Sequence, residues 1–418
     1  MAVPAHQATT RHLGAAYPFA SESGLGGSGV LVGRDLLGGA FAYDPFELYR
    51  AGVVTNPNMI VFGQIGRGKS AFVKTYLWRQ AVFGRRAWVI DPKGEYGALA
   101  QAWGSAPIAL RPGGAVRINP LDDPGGDAED VARRRSELLA SLATASLGRA
   151  LIPSERSALD LAVDAVSSPN RGTTLAPRLA DVVDALLEPS LAAARAVHSE
   201  VSQLAADGRQ VALELRRLVG GDLRGMFDGQ TTPGISLHGP LVVLDLSAVY
   251  QSAALGVLMT CAAAWLHAAL VDNDSTQLGN IIIVVDEAWA ILSNLGVARW
   301  LQSSWKLARA FGVANVAILH RLSDLSAVAS GESEQVRVAE GLLADSETRV
   351  VYAQSHGEVQ SAGRLLGLSE TEGELIPHLQ RGVALWKVAG RSFLVQHRLA
   401  PMELALVDTD VRMRAEVV

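Results

Sequence analysis

The chain has 418 residues, enough for two or three domains and a large buried core. Hydrophobic residues make up 49% of it and charged residues 19%, which excludes an intrinsically disordered protein. The formal net charge of −5 gives no global basic field, so neither nucleic acid nor an anionic membrane is indicated as a partner.

The N-terminal segment, residues 1–55, is rich in glycine and has two strand-like fragments at 29–32 and 40–43. Turns separate these fragments, so the pattern predicts a short β-hairpin that leads into the main domain. The first 20 residues contain no apolar run flanked by basic residues. We therefore expect no signal peptide and a cytoplasmic location.

From residue 59 onward, short apolar runs alternate with helical segments. Strands are predicted at 59–62, 88–91 and 107–110, and helices at 70–83 and 96–103. Apolar strands joined by helices are typical of a mostly parallel sheet covered on both faces. The fold class predicted for this part of the chain is therefore α/β.

The alternation stops between residues 121 and 236, where only helices are predicted. These helices cover residues 127–147, 154–167, 177–187, 190–207 and 210–219, with prolines near their ends. The pattern indicates an all-helical subdomain, 121–236, inserted into an α/β core formed by 56–120 and 237–418.

The α/β pattern resumes at residue 241. Strands are predicted at 241–246, 281–286, 313–319, 349–353, 383–388 and 393–399, the last two forming a hairpin. The apolar run 253–271 has the length of a membrane span. A span there would place the loop at 63–70 and the acidic pair at 286–287 on opposite sides of a membrane, although one site needs both. We therefore interpret the run as a core helix and predict no membrane span.

The segment GQIGRGKS matches the phosphate-binding pattern G-x-x-x-x-G-K-[ST] at Gly63, Gly68, Lys69 and Ser70. A predicted strand precedes it and a helix follows, so backbone N–H groups would point at phosphates. Lys69 would reach the β- and γ-phosphates and Ser70 would ligate Mg²⁺. The predicted nucleotide-binding residues are Gly63, Gln64, Ile65, Gly66, Arg67, Gly68, Lys69, Ser70 and Ala71. The expected ligands are ATP and Mg²⁺.

The segment IIIVVDEAW supplies two acidic residues directly after an apolar strand. Asp286 is placed to hold Mg²⁺ through water, and Glu287 to take a proton from the attacking water. The alternative is an ordinary strand end with a solvated acidic pair. His320 ends the next apolar run and is a candidate to polarise the water or to relay nucleotide occupancy, the alternative being a surface turn.

Several segments together resemble the conjugative and type IV secretion ATPases, which belong to the HerA–FtsK class of RecA-like hexameric motors. Besides the loop and IIIVVDEAW, they are IDPKGEY (90–96), MFDGQTT (226–232), PLVVLDLSAV (240–249), ILHRLSDL (318–325) and QHRLAPMELAL (396–406). The resemblance runs from residue 41 to residue 407. The nucleotide motifs are generic, whereas DPKGEY followed by VVDEAW is fairly specific.

The resemblance implies a RecA-like P-loop NTPase fold with an inserted helical subdomain, ATP hydrolysis, and a homo-hexamer with its sites between subunits. It assigns Lys69 and Ser70 to nucleotide and Mg²⁺, Asp286 to Mg²⁺ and Glu287 to the general base. Partners would be components of a membrane secretion or conjugation complex, which would place the motor at the inner face of the cell membrane.

The resemblance also points to accessory residues. Asp91 and Glu95 match acidic positions near the site, and Arg309 in WKLARAFGV matches a basic position that would reach a neighbouring subunit's γ-phosphate. Arg349 is a second candidate for that arginine. Two features depart from the family: secretion-type members carry a sizeable N-terminal docking domain where about 55 residues stand here, and His320 replaces the more usual glutamine.

Three functions are compatible with the sequence. The leading hypothesis is an ATPase that energises substrate translocation or pilus assembly by a conjugation or type IV secretion-like apparatus. The second is a DNA-pumping translocase or coupling protein of the same class, although the net charge does not indicate DNA. The third is a regulatory protein that binds nucleotide without hydrolysing it, which would have no need of Glu287 as a base.

Overall fold

The structure, a computed structural model, describes residues 24–122, 128–167, 175–221, 223–235, 239–252, 255–272, 279–292, 298, 301–302, 305–306, 308–321, 338, 341–363 and 366–407. The expected lack of a signal peptide concerns residues outside these ranges. So does the end of the ILHRLSDL segment, residues 322–325.

One sheet runs through the described residues. Its strands are β1 (Val30–Asp35), β2 (Ala40–Tyr43), β3 (Met59–Phe62), β4 (Arg86–Asp91), β5 (Ile108–Ala109), β6 (Leu241–Asp245), β7 (Ile281–Val285), β8 (Val313–Leu319), β9 (Thr348–Tyr352), β10 (Val383–Val388) and β11 (Arg391–His397). Their order across the sheet is β2-β1-β11-β10-β9-β3-β8-β7-β4-β6-β5. The seven strands from β9 to β5 are parallel, and β10, β11, β1 and β2 extend the sheet antiparallel. The predicted mostly parallel α/β sheet is thus confirmed.

Helices connect these strands. They are α1 (Pro45–Arg50), α2 (Lys69–Gln80), α3 (Gly97–Ala102), α4 (Ala128–Leu147), α5 (Pro153–Ser167), α6 (Leu179–Leu187), α7 (Leu191–Ala196), α8 (Val201–Gly220), α9 (Leu255–Asp272), α10 (Trp289–Leu292), α11 (His356–Ala362), α12 (Glu370–Leu375) and α13 (Leu404–Val407). Short 3₁₀ turns lie at Ala81–Phe83, Ser247–Val249, Ala308–Phe311, Ile376–His378 and Pro401–Glu403.

The described residues between 121 and 236 form helices and no strand, with α5, α6 and α8 packed together and α4 packed against α9. The predicted break near residue 208 is wrong, because α8 continues through Gly208. A Cβ at this glycine would stand 3.0 Å from Leu186 Cδ2, so glycine allows α6 and α8 to pack closely. These helices share a hydrophobic core with one face of the sheet. The division of the chain into domains stays a prediction.

A second core lies on the opposite face of the sheet and includes the N-terminal hairpin. Trp386 of β10 is fully buried there, with ring centroids 5.1 Å from Phe41, 5.2 Å from Tyr43 and 5.2 Å from Phe72. The hairpin β1–β2, predicted as a lead-in segment, is therefore packed against α2, the helix that follows the phosphate-binding loop.

Arg79 of α2 forms hydrogen bonds with β1 near the N-terminus and with the segment that follows β11 near the C-terminus. Its guanidinium binds the Glu403 carboxylate through Nε (2.7 Å) and Nη2 (2.6 Å). It also donates to the carbonyls of Leu31 (2.6 Å) and Arg398 (2.5 Å). Two parallel bonds to a carboxylate that is 4% exposed make a geometrically specific pair.

The apolar run predicted to be a core helix forms α9. Leu258, Met259, Cys261 and Leu266 are fully buried within the first core. Across the part of the chain that the structure describes, we find no helix with the length and apolarity needed to cross a membrane.

Candidate nucleotide-binding site

The carboxyl ends of four neighbouring parallel strands lie side by side. Phe62 of β3 pairs with Leu319 of β8, and Val285 of β7 pairs with Ala317 of β8 and Ile90 of β4. Ligands of open α/β sheets bind outside such carboxyl ends. The residues at or directly after these strand ends are Gly63, His320, Asp286, Glu287 and Asp91. The sheet order therefore gathers the predicted site residues along one edge.

The loop between β3 and α2 requires glycine at two positions. Gly68 has φ +112°, in the left-handed region, and directly precedes Lys69, the first residue of α2. A Cβ at Gly63 would stand 2.5 Å from Tyr352 Cβ, so only glycine fits against the neighbouring strand. The loop backbone is further held by Gln64 N donating to the Ala353 carbonyl (3.2 Å). It thus delivers a helix N-terminus to the edge of the sheet, where phosphates bind.

Lys69 is 4% exposed, and its ammonium group lies inside the loop. Nζ donates to the carbonyls of Gly63 and Gln64, the latter at 3.1 Å. It also lies 3.1 Å from His320 Nδ1. The loop lysine and the polar residue at the end of β8 are therefore in direct contact, as one site requires.

A cavity of about 680 Å³ opens over this loop, which is within the usual size range for small-molecule sites. Predicted residues that line it are Ile65, Gly66, Gly68, Lys69, Ser70, Ala71, Glu95 and His320. Lys93, Arg381, Arg398 and Leu404 are among the lining residues that the sequence did not single out. Gly63, Gln64 and Arg67 instead shape the loop, and the Arg67 carbonyl accepts from Gly382 N at 3.0 Å.

Glu287 is 1% exposed and is held by three donors. Oε1 accepts from His320 Nε2 (2.5 Å) and from Lys93 Nζ, and Oε2 accepts from Trp289 Nε1 (2.5 Å). Burial alone would raise the pKa of Glu287, but the bonds from His320 and Lys93 outweigh it and lower the pKa to about 2. The carboxylate is therefore ionised at neutral pH.

The backbone of Glu287 has φ +53°, a left-handed conformation that is uncommon for any residue except glycine. Such a conformation costs on the order of 1–3 kcal/mol and persists where the surroundings over-determine it. The three bonds to the side chain are surroundings of this kind. These bonds hold the carboxylate against Lys93 and His320, which both line the cavity.

Asp286, at the end of β7, is 3% exposed. Burial raises its pKa to about 7, and the neighbouring charges of Glu287 and Asp91 add to the rise. No group of three or more His, Cys, Asp or Glu side chains that would hold a metal occurs among the described residues. Mg²⁺ takes one or two protein oxygens and completes its shell with phosphates and water, so the hydroxyl of Ser70, which lines the cavity, and the carboxyl of Asp286 are of the right chemical type. Their binding of Mg²⁺ stays a prediction.

Asp91 shapes the loop that follows β4 rather than facing the cavity. Its Oδ1 accepts from Lys93 N (3.2 Å) and Gly94 N (2.9 Å), and its Oδ2 accepts from Tyr96 N (2.9 Å). Asp91 thereby positions Lys93 and Glu95, which both line the cavity.

Below this loop lies Lys74 of α2, whose side chain is fully buried, with Nζ 3.7 Å from Glu95 Oε2. Burial lowers the pKa of Lys74, whereas the charges of Glu95, Asp91 and Asp286 act in the opposite direction. Lys74 is thus a buried basic side chain beside Glu95, with its pKa lowered overall.

The two predicted trans-acting arginines lie away from the cavity. Arg309 is exposed in the 3₁₀ turn before β8 and donates to the Thr55 carbonyl at 3.3 Å. It is thus separated from His320 by the length of β8, about 20 Å at the usual rise of a strand. Arg349 donates to the carbonyls of Leu366 (2.8 Å) and Leu343 (2.9 Å), so its guanidinium is used inside the subunit.

Lys93 is the functional candidate that sequence reasoning missed. It stands within DPKGEY, a segment in which the resemblance points only to the acidic residues Asp91 and Glu95. The available signal was a lysine two residues beyond the end of β4, a strand that the alternating pattern already predicted. Its contact with Glu287 follows only from β4 and β7 being neighbours in the sheet.

His397, at the end of β11, also lines the cavity. Its Nε2 lies 2.8 Å from Thr75 Oγ1, and its ring meets Phe72 edge-on at 5.8 Å. Burial lowers the pKa of His397 to about 4, and the charge of Arg79 adds to this effect. The imidazole is therefore neutral at physiological pH.

No protein-family model matches this sequence, and no curated protein matches it either. Among solved structures, VirB4 of Thermoanaerobacter pseudethanolicus is similar with a TM-score of 0.72 and 21% identity, over 92% of this chain and 100% of that one. The chain has the RecA-like P-loop NTPase fold. The plasmid coupling protein TrwB shares it, with a TM-score of 0.57 and 14% identity in complex with the ATP analogue ADPNP, over 82% of this chain and 85% of that one. In complex with ADP and Mg²⁺, TrwB gives a TM-score of 0.55 and 16% identity, over 84% and 88% of the two chains. These likenesses confirm the predicted fold class and the resemblance to conjugation and secretion ATPases at the level of the fold.

Proposed function

We propose that this protein is an ATP-hydrolysing motor that energises a conjugation or type IV secretion-like transport apparatus. The observation that carries the proposal is the convergence of Lys69 and Ser70 with Asp286 and Glu287 at one edge of the sheet. The chain also shares its fold with VirB4 and with TrwB, a bacterial conjugative coupling protein.

Each step of ATP hydrolysis can be assigned to a residue of this site. A water oxygen attacks the γ-phosphorus, the bond from that phosphorus to the β–γ bridging oxygen breaks, and ADP and phosphate leave. Glu287 takes the proton of the attacking water, and Lys69 neutralises charge on the phosphates. Ser70 and Asp286 would hold Mg²⁺, which when bound neutralises the developing charge.

We further propose a homo-hexamer in which Arg309 acts on a neighbouring subunit. Arg309 is exposed and lies at the amino end of β8, remote from the cavity of its own chain. A residue there can reach phosphate only across a subunit contact. Mixing Arg309→Ala with Lys69→Ala protein should restore part of the activity that each variant lacks alone, because mixed contacts contain some complete sites. No recovery at any mixing ratio would refute the trans role.

DNA pumping is the second candidate function, and the fold shared with TrwB supports it. The net charge of −5 favours the first, since DNA-bound motors need a basic surface. A regulatory protein that binds nucleotide without hydrolysing it is less well supported, because Glu287 stands at the strand end where a base is needed.

Steady-state ATP turnover across protein concentration, with and without DNA, tests the proposal. We expect turnover that rises with concentration as subunits assemble, and little response to DNA. Turnover stimulated by DNA with a steep salt dependence would support the DNA-pumping function instead. Binding of ATP with no turnover at any concentration would refute both motor functions.

A further inference from the structure

Lys93 and His320 separate Glu287 from the cavity. Both side chains line the cavity, and both contact Oε1 of Glu287 from that side. Glu287 itself is 1% exposed, with Oε2 occupied by Trp289. A water molecule that approaches from the cavity meets the ammonium and the imidazole before it meets the carboxylate. In this arrangement Glu287 is not free to accept a proton from water.

Two ammonium groups flank the His320 ring. Lys69 Nζ lies 3.1 Å from Nδ1 and Lys93 Nζ lies 3.3 Å from Nε2. Lys69 is the residue proposed to contact the β- and γ-phosphates. The ammonium of Lys93 is separated from that of Lys69 by the imidazole ring of His320, so it lies near the position proposed for the phosphates. An oxyanion between the two lysines would attract both.

The Lys93 side chain is able to change partners. It extends from a loop, its side chain is 25% exposed, and its backbone is anchored separately by Asp91. A lysine on a flexible stem behaves as a mobile point charge, unlike the rigid fork of an arginine. The γ-phosphate of ATP carries more charge than the Glu287 carboxylate with which it would compete.

We propose that Lys93 is a catalytic residue that transfers from Glu287 to the γ-phosphate when a nucleoside triphosphate binds. This exchange, which rests on the proposed ATP-binding function, does two things. It places a positive charge where the transferred phosphoryl group develops negative charge, and it frees Glu287 to accept the proton of the attacking water. A diphosphate has no γ-phosphate and leaves Lys93 on Glu287, so the site distinguishes ATP from ADP within one subunit.

The test compares the affinities of ADPNP and ADP, each with Mg²⁺, by calorimetry for wild type and Lys93→Gln, so that no hydrolysis is needed. We expect Lys93→Gln to weaken ADPNP binding by about tenfold or more, as the loss of a hydrogen bond between charged groups would. The ADP affinity should be unchanged. Lys387→Gln is the matched control, since Lys387 forms a comparably buried pair with Glu372 at 2.8 Å in another part of the fold. Lys93→Met serves as the second variant if Lys93→Gln fails to fold.

The same measurement in a Glu287→Gln background shows whether Lys93 binds the γ-phosphate itself or affects ADPNP only through its ion pair with Glu287. If Lys93 moves to the phosphate, its removal still weakens ADPNP binding when Glu287 is neutral. The proposal is overturned if the effect disappears in that background, or if Lys93→Gln weakens ADP and ADPNP equally. A wild-type protein that binds both nucleotides but does not hydrolyse ATP would refute the motor function without affecting this test.

Discussion

Replacing His397 with glutamine tests whether this cavity-lining imidazole is desolvated in the folded protein. The pKa of His397 is lowered from 6.5 to about 4 by burial, with a smaller contribution from Arg79, and Glu403 acts in the opposite direction. The imidazole of His397 is protonated near pH 6.5 in the unfolded chain but only near pH 4 in the folded chain. Stability from this group is therefore complete above pH 6.5 and is lost as the pH falls toward 4. A difference of about 2.5 pH units, at about 1.4 kcal/mol each, corresponds to about 3.5 kcal/mol.

Urea denaturation of wild type and His397→Gln at several pH values between 7 and 4.5 measures this contribution. Asp286 and Asp91 have raised pKa values that give the opposite pH trend. Both proteins contain them, so their effect cancels in the difference between wild type and variant. We expect the free energy of unfolding of wild type, relative to the variant, to fall by most of this amount as the pH is lowered from 7 to 4.5.

A relative stability that does not change with pH would refute the reasoning. A direct check is the NMR titration of the histidine ring protons, in which the variant identifies the His397 signal. We expect that signal to show a neutral imidazole at pH 5. A midpoint at or above 6.5 would show that His397 is neither desolvated nor repelled by Arg79.

Three further substitutions test the packing around α2 and the close fit of the phosphate-binding loop. Arg79→Ala should lower the free energy of unfolding by about 3 kcal/mol, because it leaves a buried carboxylate without its partner. Trp386→Ala should cost about 3–5 kcal/mol, since it empties the aromatic core under α2. Both are measured by urea denaturation, and losses below about 1 kcal/mol would contradict the packing described. Gly63→Ala should abolish nucleotide binding in calorimetry while the fold is retained, because its Cβ would press on Tyr352. Gly357→Ala is the control, since a Cβ there meets open space.

The local parts of the site were predictable from sequence, because neighbouring residues determine them. The strand before Gly63, the helix that begins at Lys69 and the acidic pair after β7 all follow from short periodic patterns. The parallel sheet was also predictable, since apolar strands alternate with helices. These features predict His320 and Glu287 at or just after strand ends and Lys69 at the start of a helix.

The contacts that shape the site depend on strand order, which periodicity does not encode. Lys93 meets Glu287 because β4 lies beside β7, although the two residues are far apart in sequence. Arg79 meets Glu403 because β11 and β1 are neighbours and bring both chain ends onto α2. The bonds from Lys93 and His320 to Glu287, and hence the low pKa of Glu287, were therefore beyond sequence reasoning.

The proposed motor function requires that Lys69 binds the phosphates and Glu287 activates water in one site. The most direct measurement is a side-by-side comparison of ADPNP affinity and ATP turnover in Lys69→Ala and Glu287→Gln. We predict that Lys69→Ala loses binding and turnover together, whereas Glu287→Gln retains binding and loses turnover. Wild-type turnover in Glu287→Gln would contradict the account.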